Sequence, residues 1–338
     1  MWEQMLVSKQ QYVNSIFKDV TWDFSKESAL AYAPSNIALS KYWGKRNKEL
    51  NLPLTDSVSI SLDMLGASTS VRMSKDNTDT IILNENQVDP AHDFHKRAVN
   101  FLELFRPGDD FYFHVDTTST IPVGAGLASS ACGFAALSMA LNDLFSWDLS
   151  LRDLSKIARL GSGSAARSLW HGFVQWHAGT DLLGHDCYAE PVGIDWPELC
   201  VGIILVDATE KKISSTDAMN TTVKTSSLYK TWPDVCKRTN SGILAAIKSK
   251  NFADLTSLSE ESASLMHATM LDAEPPINYS QMKTQQIIEQ VKLLRADNVK
   301  ILYTQDAGPN IKVLFLENEE SQLKELFSNI TIVKPFNR

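Results

Sequence analysis

Four short segments of this 338-residue chain combine residue types that could handle phosphate. The first is Ile121-Pro-Val-Gly-Ala-Gly-Leu-Ala-Ser-Ser-Ala131. Glycines at 124 and 126 let the backbone turn tightly and approach a ligand. A helix opening at Ser129-Ser130, after Ala125, Leu127 and Ala128, would present free N–H groups and the positive end of its dipole, which suits a phosphate. It is not a Walker loop, since no Gly-Lys-Ser/Thr follows, nor the dinucleotide fingerprint, since Ser129 takes the third glycine position. The same residues also read as a Gly-rich turn with serine caps.

The second segment is Ala33-Pro-Ser-Asn-Ile-Ala-Leu-Ser-Lys-Tyr-Trp-Gly-Lys-Arg46. Lys41, Lys45 and Arg46 set up a local positive field beside Tyr42, Trp43 and Gly44. Screening over about 8 Å would let three cations answer a diphosphate even on an acidic chain. An exposed basic loop anchored by an aromatic is the alternative. The third, Gly161-Ser-Gly-Ser-Ala-Ala-Arg167, has hydroxyls at Ser162 and Ser164 that could cap a helix or donate to anionic oxygens. Gly163, Ala165 and Ala166 leave room around them, and Arg167, one turn inside that helix, could fork onto a carboxylate. Helix capping plus a surface arginine is the ordinary reading. In the fourth, Tyr303-Thr-Gln-Asp-Ala-Gly-Pro-Asn310, turn chemistry explains the residue types, and Asp306 at a strand end could also be a catalytic carboxylate.

The elements that must position these segments read as mixed. Val58–Leu62, Ala67–Met73 and Thr80–Leu83 are β-branched strands parted by polar turns. His92 to Phe105 carries apolar residues at spacings of 3 and 4, hence a helix; its His92 and His95 have no third ligand in view, so no metal site is assigned. Phe111–Val115 is a strand, Ser129–Leu144 a long helix, and further helices begin near Leu149 and after Gly161. Leu199–Val206 is an apolar strand, helices follow near 227–248, 252–266 and 279–296, and strands Val299–Tyr303 and Ile311–Leu316 flank the Asp306 turn. Strands mixed with helices without regular βαβ alternation make the chain α+β, with a boundary near 198. Residues 1–26 form a preface whose Trp2, Met5, Leu6, Val13, Ile16 and Phe17 fall roughly on one helical face; packing on the body or on a partner is favoured over membrane attachment.

Composition narrows the function classes. Hydrophobic residues at 43% and charged ones at 21% suit a globular chain. Forty acids against thirty-two Lys+Arg give a net charge of −8, the wrong sign for holding nucleic acid through its phosphates. No apolar run approaches the roughly eighteen residues of a membrane helix, and no secretory signal is visible. Cys132, Cys187, Cys200 and Cys236 fit neither a zinc site nor a disulfide scaffold, and the expected setting is cytoplasmic.

Together the segments resemble those of diphosphomevalonate decarboxylases (mevalonate diphosphate decarboxylases) of the GHMP kinase superfamily. The resemblance runs in order through Asn36-Ile-Ala-Leu39, Lys41-Tyr-Trp-Gly-Lys-Arg46, Asn51-Leu-Pro-Leu54, Gly126-Leu-Ala-Ser-Ser-Ala131 and Gly161-Ser-Gly-Ser-Ala165 with Arg167-Ser168. It continues through Ser214-Ser-Thr216, Met266-His-Ala268 with Asp272 and Pro275-Pro276, and Asp306-Ala-Gly-Pro-Asn310. It implies an α+β two-domain GHMP kinase fold. After the extension 1–26, a ribosomal protein S5 domain 2-like domain would hold the ATP phosphates over 27–198, and a GHMP-type C-terminal domain would span 199–338. It implies ATP-dependent decarboxylation of (R)-5-diphosphomevalonate to isopentenyl diphosphate, ADP, phosphate and CO₂, with ATP and Mg²⁺ as cofactors and a homodimer as the assembly.

Residue by residue, the resemblance implies that Asp306 orients or deprotonates the C3 hydroxyl, that Lys41 sits beside it, and that Arg167 grips the substrate carboxylate. Tyr42, Trp43, Gly44, Lys45, Ser162, Gly163, Ser164, Ala165, Ala166 and Thr216 would bind substrate. Gly124, Ala125, Gly126, Leu127, Ala128, Ser129 and Ser130 would hold nucleotide phosphates. No protein metal ligand is implied. Two departures stand out: Val123 and Gly124 replace the family's usual Thr and Ala, and Thr78 stands where it often has a substrate-binding arginine. Rival readings are a phosphomevalonate decarboxylase or mevalonate 3-kinase, and a non-catalytic sensor of the same fold.

Overall fold

The computed structural model describes residues 8–121, 129–209 and 212–337. The first half runs α1 (Lys9–Ile16), β1 (Ser28–Ser40), β2 (Lys45–Asn47), β3 (Leu52–Pro53), β4 (Ser57–Met73), β5 (Thr80–Leu83), β6 (Asn86–Gln87) and α2 (Asp93–Leu102). It continues with β7 (Phe113–Ser119), α3 (Ser129–Leu144), α4 (Leu151–Gly161), β8 (Phe173–Trp176) and β9 (Ala189–Pro191). The second half runs β10 (Leu199–Ile204), α5 (Ser215–Thr225), α6 (Trp232–Ser249), α7 (Phe252–Leu271), α8 (Met282–Ala296), β11 (Ile301–Gln305), β12 (Ile311–Leu316), α9 (Glu320–Leu326) and β13 (Ile330–Val333).

The architecture is α+β in two domains. One sheet follows the order β6-β5-β7-β4-β8-β9, with β1 added alongside β4; the other follows β11-β12-β10-β13. Strand β4 is the spine of the first sheet. Antiparallel β1 accompanies both its halves, while β8 pairs its start and β7 its end. The sequence suggested two strands here, 58–62 and 67–73. They are one, because Asp63 takes a left-handed φ of 46° and the chain changes register without leaving the sheet.

Helices α2, α3 and α4 cover one face of that sheet with a core of Ala98, Phe101, Leu102, Phe134, Leu141, Leu154 and Ile157. Ser150 caps α4 by accepting from the Asp153 N–H, which fixes the register burying Leu154, Ile157 and Leu160. The other end of the sheet packs on the second domain. Ile37, Leu39, Val58 and Ile60 share a core with Leu199, Val201, Ile243, Leu302 and Leu314. Thus β1 ends inside the molecule, and Lys41, the next residue, starts from a buried platform.

Residues 1–7 lie outside the described residues, so Trp2, Met5 and Leu6 are not placed. The rest of the N-terminal segment packs on the body. Tyr12 and Val13 are buried, and Phe17 meets Trp147 edge-to-face with ring centroids 4.7 Å apart. Among the described residues no helix is long and apolar enough to cross a membrane. Helix α5 and strand β13 escaped the sequence reading. The helix expected after Gly161 is a 3-10 turn over Gly163–Arg167, and Ser162 makes no side-chain cap bond to it.

Candidate active site

Lys41 is held by the second domain before it meets any partner of its own. Its N–H donates to Ser262 Oγ on α7 at 3.0 Å. Two residues on, the Trp43 carbonyl accepts from Tyr229 Oη at 3.0 Å and from Trp232 Nε1 at 2.8 Å. Gly44 follows with φ +117°, and a Cβ there would stand 1.6 Å from Tyr229 Oη, so only glycine permits this crossing of the chain. Lys41 is only 1% exposed, which corrects the reading of 33–46 as an exposed basic loop.

Asp306 closes the site from the turn between β11 and β12. Its Oδ1 accepts from Lys41 Nζ at 2.6 Å, and its Oδ2 lies 3.3 Å from Lys312 Nζ. The turn itself is pinned by Gln305, whose Nε2 donates to the Gly308 carbonyl at 2.9 Å, and by Asn310, whose Oδ1 accepts from the Val206 and Asp207 N–H groups. Burial alone would push the Asp306 carboxyl up. The adjacent charges of Lys41 and Lys312 and their hydrogen bonds outweigh it and hold the group well below the usual carboxylate range. His267 contacts the Asp306 carbonyl through Nε2 at 3.2 Å, and burial and the Lys41 charge lower it to about 4, so the neutral ring donates there. The result is an ionised carboxylate on a cationic floor, with its side chain still 29% exposed to an incoming group.

Arg167, at 3% exposure, is no surface arginine. Its Nη1 donates to Ser57 Oγ at 2.6 Å and its Nε to Asn36 Oδ1 at 3.3 Å. Nη2 has no hydrogen-bond partner among the described residues. Burial lowers its pKa, while Asp306 and Tyr42 act the other way, so the guanidinium lies within electrostatic reach of the carboxylate. Nε and Nη1 are therefore held, and the edge at Nη2 is available for a substrate carboxylate.

A line of hydroxyls connects the two glycine-rich segments. Ser130 Oγ lies 3.3 Å from Ser162 Oγ, which lies 3.3 Å from Ser164 Oγ. Tyr42 packs beside them: a Cβ at Gly163 would come within 2.7 Å of its Oη, so that glycine makes room for the ring. Ala165 and Ala166 are fully buried beneath. Lys45 Nζ donates to Asn51 Oδ1 at 2.6 Å, and Asn51 Nδ2 in turn donates to the Arg159 and Leu160 carbonyls. Lys45 thereby stands at the end of α4, next to Ser162.

Gly124, Ala125, Gly126, Leu127 and Ala128, with the side chain of Ser129, lie outside the described residues. Thr216 is exposed in the first turn of α5, and no hydrogen bond ties it to Lys41, Asp306 or Arg167. Sequence reasoning overlooked Lys312 and gave Ser57, Ser262 and His267 no role. The signal for Lys312 was available: a lone cation inside the apolar strand Ile311-Lys-Val-Leu-Phe-Leu316 needs a buried counter-charge.

Known proteins share the sequence and fold of this chain. Residues 33–189 match the family model described as the diphosphomevalonate decarboxylase-like N-terminal domain, and residues 201–335 the mevalonate 5-diphosphate decarboxylase C-terminal domain. The chain belongs to the diphosphomevalonate decarboxylase family. It is 38% identical over 307 residues to the diphosphomevalonate decarboxylase of Bos taurus, covering 85% of this chain and 76% of the bovine protein. It is 35% identical over 318 residues to that of Saccharomyces cerevisiae, covering 88% and 80%. Among solved structures, mevalonate diphosphate decarboxylase from Staphylococcus aureus superposes with a TM-score of 0.85 at 32% identity, covering 91% of this chain and 95% of that one. The structure described as MDDEF in complex with MVAPP, AMPPCP and magnesium gives 0.84 at 37% identity, covering 91% and 97%. The fold is thus the two-domain GHMP kinase fold, a ribosomal protein S5 domain 2-like domain followed by the GHMP-type domain, as the family's motifs implied.

Proposed function

We propose that Asp306, Lys41 and Arg167 carry out the family's reaction here, in which ATP drives decarboxylation of (R)-5-diphosphomevalonate to isopentenyl diphosphate. The observation that carries this assignment is the single ionised carboxylate of Asp306 answered by two buried lysines, with Arg167 beside it.

The chemistry follows from charge. The tertiary C3 hydroxyl of the substrate is a poor leaving group. Asp306 accepts a hydrogen bond from it and aims its oxygen at the γ-phosphorus of ATP. So strongly ionised a carboxylate is a weak base, so orientation precedes full proton transfer, as a loose phosphoryl transition state permits. As the C3 oxygen bonds to the γ-phosphorus, the Pγ–O bond to ADP breaks with its electron pair leaving on ADP, the hydroxyl proton passes to the Asp306 carboxylate, and Lys41 offsets charge on the group in transit. The new C3–O–phosphate bond then breaks with its electron pair leaving on phosphate, and positive charge grows at C3. The C1–C2 bond pair moves into a C2=C3 double bond as CO₂ departs. Arg167 holds that carboxylate through its available edge, keeping the C1–C2 bond aligned with the electron-poor centre.

Lys45, Ser162 and Ser164, with Tyr42 to Gly44 shaping the wall and Gly163, Ala165 and Ala166 the floor, bind the diphosphate end; Thr216, exposed in the first turn of α5, is assigned to the substrate on its motif alone. Ser130, with the segment 124–129, receives the nucleotide phosphates. Mg²⁺ would find a hard oxygen donor of the kind it takes in Ser130 Oγ, beside the segment assigned to the nucleotide phosphates. When bound, it supplies positive charge to the triphosphate. The use of ATP and Mg²⁺ is supported by the relative crystallised with AMPPCP and magnesium.

The division at residue 198, with 1–26 as an extension, follows the change of sheet between β9 and β10. A cytoplasmic homodimer is the expected working form. The test is to mix purified protein with ATP and, separately, mevalonate, its 5-phosphate and its 5-diphosphate, and to analyse products by mass spectrometry. Isopentenyl diphosphate and CO₂ from the 5-diphosphate are expected. A stable 3-phosphorylated product without CO₂ would make the chain a kinase instead.

A further inference from the structure

Lys9, Lys45 and Arg97 come from three separate elements and lie within electrostatic reach of one another. Lys45 stands at the end of α4 through Asn51. Arg97, on α2, holds its guanidinium 5.6 Å from the centroid of the Phe134 ring, and Phe134 packs directly on Gly161, the residue before Ser162. Lys9 opens α1, which Tyr12 anchors beside them: its hydroxyl donates to the Gly184 carbonyl at 3.1 Å, and the Arg159 guanidinium lies 4.8 Å from its ring centroid. Among the described residues none of the three cations forms an ion pair. Glu49 and Asp93 act on Lys9 and Arg97 only from a distance. Those acids offset part of the charge on Lys9 and Arg97 without bonding either one, Lys48 adds to the charge around Lys45, and an anion reaching all three cations would relieve their mutual repulsion.

We propose that Lys9 and Arg97 join Lys45 to seat the terminal phosphate of the substrate's diphosphate, which makes the N-terminal helix a determinant of substrate choice. The inference rests on the reading that the diphosphate end lies at Lys45 and Ser162. With the inner phosphate on the serine hydroxyls, the outer phosphate reaches past Lys45 toward α1 and α2. A monophosphate would stop at Lys45 and leave Lys9 and Arg97 unanswered, so the trio favours the diphosphate.

Steady-state kinetics on full-length Lys9→Gln, Arg97→Gln and Lys9→Arg, with 5-diphosphomevalonate and the 5-monophosphate, test this. Losing one charge-assisted contact lowers kcat/KM for the diphosphate roughly tenfold, through KM rather than kcat, and lowers the diphosphate-to-monophosphate ratio by the same factor. Lys9→Arg, which keeps the charge, restores the ratio. Inorganic pyrophosphate, as a competitive inhibitor, weakens in parallel with the two glutamine variants. Arg97 is solvent-facing on α2, so its variant remains informative should Lys9→Gln unfold. A wild-type enzyme that turns over the diphosphate while both glutamine variants keep its ratio would overturn the inference. A wild-type enzyme inactive on the diphosphate would overturn the underlying reading instead.

Discussion

Lys41 Nζ lies 2.6 Å from Asp306 Oδ1 although 265 positions separate the two residues in the chain. Each comes from a different domain, so the pair exists only when β1 and the β11–β12 turn are packed against one another. The contact is both a piece of interdomain structure and the centre of the proposed chemistry, and the two roles can be separated by substitution.

Asp306→Asn keeps the shape and loses the charge. Turnover is expected to fall at least about 10³-fold with KM changed only slightly, since the hydrogen bond to the C3 hydroxyl matters mainly in the transition state. Steady-state kinetics check this, and retention of a tenth of wild-type kcat would remove Asp306 from the reaction.

Lys41→Met tests the structural half. The folded carboxyl of Asp306 titrates below its unfolded value near 3.9, so its stabilisation is present above that pH and is lost as pH falls toward the folded value. Fully buried pairs cost roughly 3–5 kcal/mol to break; about 2 kcal/mol is expected here, because Asp306 retains Lys312 and is 29% exposed. Urea unfolding at pH 7 and pH 3 should show the gap between wild type and variant narrowing in acid. An equal gap at both pH values would mean Lys41 acts through packing alone.

Arg167→Ala should lower kcat/KM by about two orders of magnitude while leaving the Kd for an ATP analogue within twofold, because the guanidinium is placed against the substrate carboxylate rather than the nucleotide. Calorimetric titration of the analogue separates the two effects. Unchanged kinetics would show that the carboxylate is held elsewhere.

Lys45 is lowered to about 8, chiefly by burial and then by the charges of Lys9, Arg97 and Lys48. It is charged below that pH and neutral above it. The free enzyme should therefore lose kcat/KM for the diphosphate about tenfold per unit as pH rises past 8, while kcat, measured with the anion bound, breaks at higher pH. A kcat/KM profile flat to pH 9.5 would show that the Lys45 charge is not needed for binding.

The segments were legible because turn and phosphate chemistry depend on a few local residue types. Ser129–Leu144 was placed to the residue, since an alanine-rich run of good helix formers follows a pair of serines suited to its start. Tertiary placement was less visible. Residues 33–46 read equally as a patch answering a diphosphate or as an exposed basic loop because Lys41, Lys45 and Arg46 stand close together, whereas the contacts from Ser262, Tyr229 and Trp232 that hold the segment inside the molecule come from residues more than 180 positions away. The Val58–Met73 spine read as two strands because polar Asp63 and Gly66 resemble a turn, and only pairing with β1 along both halves keeps it whole. Lys312 was overlooked because one cation in an apolar strand carries no local period. The approach of Lys9 to Lys45 depends on how Tyr12 packs, which no spacing in residues 1–26 encodes.

The most direct measurement follows the oxygen. Wild-type enzyme is given ATP and 5-diphosphomevalonate bearing ¹⁸O in its C3 hydroxyl, and the products are analysed by mass spectrometry after a single turnover. If Asp306 directs that hydroxyl onto the γ-phosphorus before CO₂ leaves, the label appears in inorganic phosphate, one atom per isopentenyl diphosphate formed. Label released into water, with unlabelled phosphate, would contradict it.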